Sequence, residues 1–189
     1  MARRVWKRTK GANLNEKIKG DPTTVVGDLA ECYFRNLEEH LLKFIEDSDG
    51  IVICMAWLTN QKVVKALSAK PCILILQSES WLNKKGGLAK KTRELYALLR
   101  KSTTTLMADT LTTDILTCGM ISHPQNMHHK FAVRIMKDKP VSVWTGSFNP
   151  TKNGNQSIEN ALVIHNEQIA SAYYQEFLAV KAISKPLKV

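Results

Sequence analysis

Cysteine, long apolar runs and acidic side chains are all scarce in this 189-residue chain. The four cysteines are widely spaced and form no CxxC pair, so nothing in the sequence indicates a disulfide framework, and a reducing compartment, the cytoplasm, is favoured. No apolar run approaches the roughly 20 residues that cross a bilayer, and no signal-peptide segment follows the basic N-terminus. We therefore expect no membrane association.

Basic residues outnumber acidic ones, with 27 lysines and arginines against 17 aspartates and glutamates and a net charge of +10. A surplus of this size favours polyanionic partners, nucleic acid above all. The apolar fraction of 44% is sufficient for one domain with its own core. Residues 1–22 are basic and lack hydrophobic periodicity, which predicts a flexible arm before a single domain over residues 23–189. The arm either follows phosphate groups or only aids solubility.

Two buried strands with a helix between them are predicted in the first half of the chain. Residues 51–57 form a continuous apolar run, typical of a strand covered on both faces. Asn60 is placed to cap a helix, and residues 72–76 form the second strand, so a parallel pair with a right-handed crossover is expected. This order indicates an α/β fold with a mixed sheet. Further upstream, Asp28 is placed to cap a helix that runs to about Asp47.

The segment from His128 to Glu159 holds the side chains best suited to chemistry. In an extended strand, the period of two places His128 and Lys130 on one face. A turn and a second strand follow, and Ser147 and Asn149 come directly after them. A hairpin would bring these side chains to one end of a sheet, where they can hold a phosphoryl group. Glu159 is placed to accept a hydrogen bond from the imidazole.

His128-x-Lys130, followed by Gly146-Ser147-x-Asn149 and then Glu159-Asn160, resembles the motifs of the phospholipase D superfamily. The similarity is greatest to the small nuclease branch that carries a single HKD motif, and it covers most of residues 37–180. It implies a phospholipase D-like fold, in which a mixed central sheet is flanked by helices on both faces. Residues 23–189 would then be one catalytic domain.

The resemblance also implies a mechanism that needs no metal. His128 attacks phosphorus to form a phosphohistidine, and a second histidine protonates the leaving oxygen and then activates water. Lys130 and Asn149 offset the charge, and Ser147 and Glu159 complete the expected catalytic residues. Because the chain has one HxK motif, two copies of His128 are expected to meet across the axis of a homodimer.

One position departs from the family pattern. The superfamily places an aspartate seven residues after the histidine, and this chain has Ile135 there. If the aspartate only supports the strand, activity survives its absence. If it has a direct role, this copy is impaired.

A second candidate site is the basic segment over residues 84–101. Glu94 is its one acidic residue, and Trp81 stands just before it. Charge for the phosphate backbone and a ring for base stacking are what a nucleic-acid groove needs, whereas the alternative is a solvated helix face. The expected nucleic-acid-binding residues are Lys84, Lys85, Lys90, Lys91, Arg93 and Trp81.

These features predict a metal-independent phosphodiesterase, an endonuclease, that acts on nucleic acid, with DNA favoured over RNA. Two alternatives remain open: a nucleic-acid-binding module whose catalysis has decayed, and a phospholipid phosphatidyl hydrolase or transferase. The sequence has no carboxylate cluster of magnesium type and no Cys/His cluster with zinc spacing, so no metal and no cofactor are expected.

Overall fold

A nine-stranded mixed sheet organises the part of the chain that the structure, a computed structural model, describes: residues 24–26, 29–83, 87–99, 114–119 and 125–187. The strands are β1 (Thr24–Val26), β2 (Ala30–Tyr33), β3 (Gly50–Met55), β4 (Cys72–Gln77), β5 (Asp114–Cys118), β6 (Lys130–Met136), β7 (Lys139–Gly146), β8 (Ala161–Ile164) and β9 (Lys185–Pro186). The helices are α1 (Leu37–Glu46), α2 (Gln61–Ser68), α3 (Gly87–Leu99) and α4 (Glu167–Ala182).

The strands lie in the order β1-β2-β8-β7-β6-β3-β4-β5-β9. β4 pairs in parallel with both β3 and β5, and the other neighbours are antiparallel. β3 and β4 are buried along their whole length. The predicted strand–helix–strand unit is confirmed, and Asn60 caps α2 by accepting hydrogen bonds from the N–H groups of Lys62 and Val63.

Alternate residues of β3 belong to two separate cores. Ile51, Ile53 and Met55 belong to the core on the side of α1, α2 and α3, whereas Val52 and Cys54 belong to the core on the side of α4. Helices therefore cover both faces of the sheet. The predicted α/β class, with a mixed central sheet flanked by helices on both faces, is confirmed.

The first helix is shorter than the sequence predicted. Residues 30–33 form β2, which pairs antiparallel with β8, and α1 begins only at Leu37. Between the two elements Asn36 has φ 52°, a left-handed conformation that interrupts a helix. The prediction of one helix from Asp28 to Asp47 is therefore wrong in its first part, because strand pairing overrides the apolar spacing.

β6 and β7 form the predicted hairpin. Its turn residues Lys137 and Asp138 have φ values of 48° and 58°, as in a type I′ turn. The Asp49 carboxylate accepts a hydrogen bond of 2.8 Å from the N–H of Lys137, which joins the turn to the start of β3. A sheet has two edges formed by the ends of its strands, and the turn lies at one of them. β6 therefore begins, and β7 ends, at the other edge of this kind.

Several predictions fall outside the described residues. They include the basic arm over residues 1–22, the lysines Lys84 and Lys85, and the side chain of Trp81, which belongs to a short 3-10 turn. No described helix is long and apolar enough to cross a membrane.

Candidate active site

Four strand ends meet at one edge of the sheet and bring the predicted catalytic residues together. β3 and β7 end at this edge, and their antiparallel neighbours β6 and β8 begin there. His128 precedes β6, Lys130 opens it, Ser147 and Asn149 follow β7, and Glu159 precedes β8. The pairing thus gathers segments that are distant in sequence.

His128 and Lys130 are in direct contact. The Lys130 ammonium nitrogen Nζ lies 3.0 Å from Nδ1 of the His128 ring and 2.7 Å from the carbonyl oxygen of the same residue. An ammonium only donates hydrogen bonds, so Nδ1 accepts and the ring proton lies on Nε2. Lys130 is paired with Met55, which places it on the sheet face covered by α1, α2 and α3.

The surroundings lower the pKa of both groups. Burial, then the Lys130 charge and then His129 lower the pKa of the His128 imidazole below its ordinary value of 6.5. Burial also lowers the pKa of the Lys130 ammonium, and the Glu159 carboxylate opposes this effect. The sequence predicted that Glu159 accepts a hydrogen bond from the imidazole. In the structure Lys130 contacts Nδ1 of the imidazole, and the negative charge of Glu159 raises the pKa of that lysine. A neutral imidazole is the form that can attack phosphorus.

Ser147 joins the loop after β7 to the segment before β8. Its hydroxyl oxygen accepts a hydrogen bond of 3.1 Å from the N–H of Asn160, and its own N–H donates one of 3.1 Å to the Asn160 carbonyl oxygen. The preceding Gly146 has φ 156°, and a Cβ there would lie 2.2 Å from the same carbonyl oxygen. Glycine is therefore required for the approach that places Ser147 beside the Glu159 segment.

Asn149 links the same loop to the end of β3. Its side-chain oxygen accepts a hydrogen bond of 3.2 Å from the N–H of Trp57, so its NH₂ group is the part that offers donors to a phosphate. The carbonyl oxygen of Pro150 accepts from two consecutive N–H groups just before α2. At Gly154 a Cβ would lie 2.0 Å from the Asn149 carbonyl oxygen. Backbone contacts on both sides thus hold Asn149 in place.

Trp57 is a site residue that sequence reasoning missed. Its ring meets the His128 imidazole edge to face, with centroids 5.6 Å apart and an interplanar angle of 82°, and Lys130 Nζ lies 5.8 Å from its centroid. The indole N–H donates a hydrogen bond of 2.9 Å to Glu79. The apolar run 51–57 indicated a buried residue here, but β3 ends two residues earlier and Trp57 is exposed. A tryptophan at the end of a central strand was the available signal.

A buried amide holds the loop that leads into His128. Gln77, at the end of β4, accepts a hydrogen bond of 2.7 Å from the N–H of Met127 and donates one of 3.2 Å to the Asn126 side chain. The Met127 side chain is buried in the core on the α4 side. The backbone directly before His128 is therefore fixed from another strand.

The other described histidines lie apart from the His128 ring. His129 lies on the opposite face, as predicted, and its Nε2 is 3.0 Å from Glu176 on α4. His40 and His165 contact side chains of other elements. Among the described residues, no second imidazole of the same chain therefore contacts His128.

The basic segment is described only on α3. Lys90 and Lys91 are exposed there, and Arg93 is half-buried. The hydroxyl of Tyr96 on the same helix donates a hydrogen bond of 2.5 Å to the carbonyl oxygen of Leu58, one residue beyond Trp57 in the chain. α3 is thereby attached to the site edge and covers the sheet face on which His128 and Lys130 lie.

Ile135, at the family's aspartate position, lies away from the site. It is five residues along β6 from Lys130, a distance of about 17 Å in an extended strand. Its side chain is 1% exposed and packs in the core on the α4 side. The isoleucine therefore removes no side chain from the cluster around His128.

A cleft of about 750 Å³ adjoins the site on the α4 side. Its lining is mainly apolar and includes Met127, Val180 and Ile183, with Lys185 as its positive charge and His128 at the junction with the site. Within the described residues, no group of three or more His, Cys, Asp or Glu side chains is arranged to hold a metal ion.

An α/β sheet that presents a histidine and a lysine beside a Ser-x-Asn loop defines a phospholipase D-like domain. The chain belongs to this family, because the family model described as "Cardiolipin synthase, PLD-like domain" matches residues 41–181. The predicted membership of the phospholipase D superfamily is confirmed.

The known proteins that are similar to this chain include one viral protein and two bacterial proteins of known structure. The uncharacterized protein L381 of Acanthamoeba polyphaga mimivirus is 34% identical in an alignment of 203 positions, and this alignment covers 90% of this chain and 72% of that protein. The structure of NucT from Helicobacter pylori matches with a TM-score of 0.61 and 14% identity, over 83% of this chain and 98% of its own. Nuc from Salmonella typhimurium, a phospholipase D family member, matches with a TM-score of 0.58 and 19% identity, over 85% of this chain and 98% of its own. Both structures share the fold.

Proposed function

We propose that this protein is a metal-independent phosphodiesterase, an endonuclease that cleaves nucleic acid, DNA in preference to RNA, with His128 as its nucleophile. The observation that carries the proposal is the contact of 3.0 Å between the Lys130 ammonium and the His128 ring, at an edge that also holds Asn149. An ammonium and an amide beside an imidazole suit an anionic phosphodiester. The net charge of +10 supports a polyanionic substrate.

In the first step, a phosphate oxygen replaces Nδ1 of His128 as the acceptor of the hydrogen bond from the Lys130 ammonium. A charged phosphate oxygen is a stronger acceptor than a neutral ring nitrogen, so the exchange releases the imidazole. The imidazole then attacks phosphorus: a P–N bond forms, the P–O ester bond breaks, and the leaving oxygen takes up a proton. Asn149 and Ser147 donate hydrogen bonds to the phosphoryl oxygens as charge develops on them.

The leaving oxygen needs an acid that the described part of one chain does not supply beside His128. A second copy of His128, brought across the twofold axis of a homodimer, would provide it. After giving up its proton, this imidazole accepts one from water, and the resulting hydroxide breaks the P–N bond. The two imidazoles start in opposite protonation states and titrate as a coupled pair.

Two other functions have some support. The description of the matching family, cardiolipin synthase, favours phosphatidyl transfer on lipid. A binding module without catalysis was suggested by Ile135, but that residue packs in the core and not in the site. The cluster around His128 therefore favours an enzyme.

Cleavage assays in excess EDTA test the proposal. Labelled single- and double-stranded DNA and RNA and vesicles of phosphatidylglycerol are incubated with wild type, His128→Ala and the control His165→Ala. We expect DNA cleavage by wild type and the control, and a rate lower by at least about 1000-fold for His128→Ala with binding retained. Cleavage of lipid alone would favour phosphatidyl transfer. Salt-sensitive DNA binding without cleavage would favour the binding module, and either result would refute the proposal.

A further inference from the structure

Trp57 is an exposed aromatic residue within an otherwise buried stretch. It is 37% exposed, whereas Ala56 and Leu58 on either side are each 1% exposed. The indole therefore stands at the sheet edge and does not fill the core. An aromatic surface that remains open to water beside a polar site is available to a ligand.

Two hydrogen bonds hold Trp57 in place. Its backbone N–H donates to Asn149 at 3.2 Å, and its indole N–H donates to the Glu79 carboxylate at 2.9 Å. A carboxylate near a phosphate-binding site repels phosphate, so Glu79 does not serve to bind the substrate. Its role there is to hold the indole ring by accepting this hydrogen bond. A ring held in this way loses less conformational entropy when a ligand stacks on it.

The fixed ring lies beside the groups proposed to contact the scissile phosphate. Its centroid is 5.6 Å from that of the His128 imidazole and 5.8 Å from Lys130 Nζ. A nucleotide whose phosphate contacts Lys130 therefore has its base, or the neighbouring base, within reach of the indole.

We propose that Trp57 stacks on a nucleobase next to the scissile phosphate and that the preferred substrate is therefore single-stranded nucleic acid. This inference rests on the proposed function and adds the substrate class to it. Neighbouring bases cover each base face in a duplex, so only an unpaired strand offers a face to the indole. Stacking tolerates every base, so the preference concerns strandedness and not sequence.

The test measures binding in the His128→Ala background, so that no cleavage occurs. One probe is a labelled oligothymidylate, and the other is a labelled polymer of abasic deoxyribose phosphates of equal length. We expect the oligothymidylate to bind about tenfold tighter or more. In Trp57→Ala we expect the ratio of the two affinities to fall towards one, whereas Trp57→Phe should keep most of the preference. Leu29→Ala, which removes a 63% exposed apolar side chain at the opposite sheet edge, is the matched control and keeps the preference.

Equal binding of both polymers by the parent overturns the inference, and so does an equal loss for both in Trp57→Ala, since the ring then only supports its neighbours. Cleavage is measured separately with His128 intact, on single-stranded and duplex DNA. Base preference without any cleavage refutes the nuclease activity alone. Cleavage without base preference refutes the role of Trp57 alone.

Discussion

Lys130 holds the imidazole of His128 as the tautomer that carries its proton on Nε2. Its ammonium donates to Nδ1 at 3.0 Å and to the carbonyl oxygen of the same histidine at 2.7 Å. The position of the ring proton therefore depends on where the lysine is. A phosphate that attracts the lysine changes the state of the imidazole at the same time.

The tautomer and the pKa of His128 are expected to reflect this contact. The free protein should carry the ring proton on Nε2, and the pKa should lie below 6.5 because burial and the Lys130 charge disfavour the imidazolium. The neutral form then persists to lower pH than in an ordinary histidine. Lys130→Met removes the positive charge and is expected to raise the pKa. Nitrogen-15 NMR titration measures both quantities, and a proton on Nδ1 or an unchanged pKa in the variant would contradict this account.

Restoring the family's aspartate at position 135 is expected to harm the protein. Ile135 is 1% exposed in the core, so Ile135→Asp buries a carboxylate among apolar side chains. We expect a loss of about 3–5 kcal/mol in the free energy of unfolding and no gain in cleavage rate. Urea denaturation checks this, with Ile135→Val, expected to lose about 0.5–1.5 kcal/mol, as the control. A more active Ile135→Asp would show that the position acts on the site.

Gly146→Ala is expected to displace Ser147. The new Cβ would lie 2.2 Å from the carbonyl oxygen of Asn160, so the loop after β7 must move away from the segment before β8. We expect about 1–3 kcal/mol lower stability and a cleavage rate lower by on the order of 100-fold, because small shifts of positioned groups are costly. Lys152→Ala, in an exposed turn, is the control and should cleave normally. Unchanged cleavage by Gly146→Ala would remove this loop from the proposed site.

A shared site makes a specific prediction for mixed dimers. If each dimer has one site built from two copies of His128, a mixed dimer of wild type and His128→Ala is inactive. Equal amounts, unfolded together and refolded, should then show about a quarter of the wild-type activity per chain. Independent sites would give about a half, and a monomer that cleaves DNA would also exclude the shared site. Light scattering of the same samples measures the oligomeric state.

The lysines of α3 are expected to contribute to DNA affinity through charge alone. Lys90 and Lys91 are exposed on α3, the helix that covers the sheet face on which His128 lies. Replacing each by alanine should weaken binding of every sequence alike and lower the slope of log affinity against log salt by roughly 1. Lys65→Ala on α2 is a control of equal charge change. An unchanged slope would show that α3 lies outside the nucleic-acid path.

The hairpin and the central strands could be predicted because their signals are local. Alternation over residues 128–133 decides which side chains share a face, and the apolar runs at 51–57 and 72–76 identify strands buried on both faces. The position of Trp57 could not be predicted in this way. Its exposure depends on where β3 ends and on a contact with Glu79, 22 residues away.

The sequence by itself determined the α/β class, the superfamily and the placement of His128 and Lys130 on one face, since these follow from short-range periodicity and motif spacing. Only the tertiary structure decided that residues 30–33 are a strand, that Trp57 stands in the site and that Ile135 stands outside it. Each of these depends on contacts between segments far apart in the chain. Local patterns specify the face a residue occupies, whereas pairing across the sheet selects its neighbours.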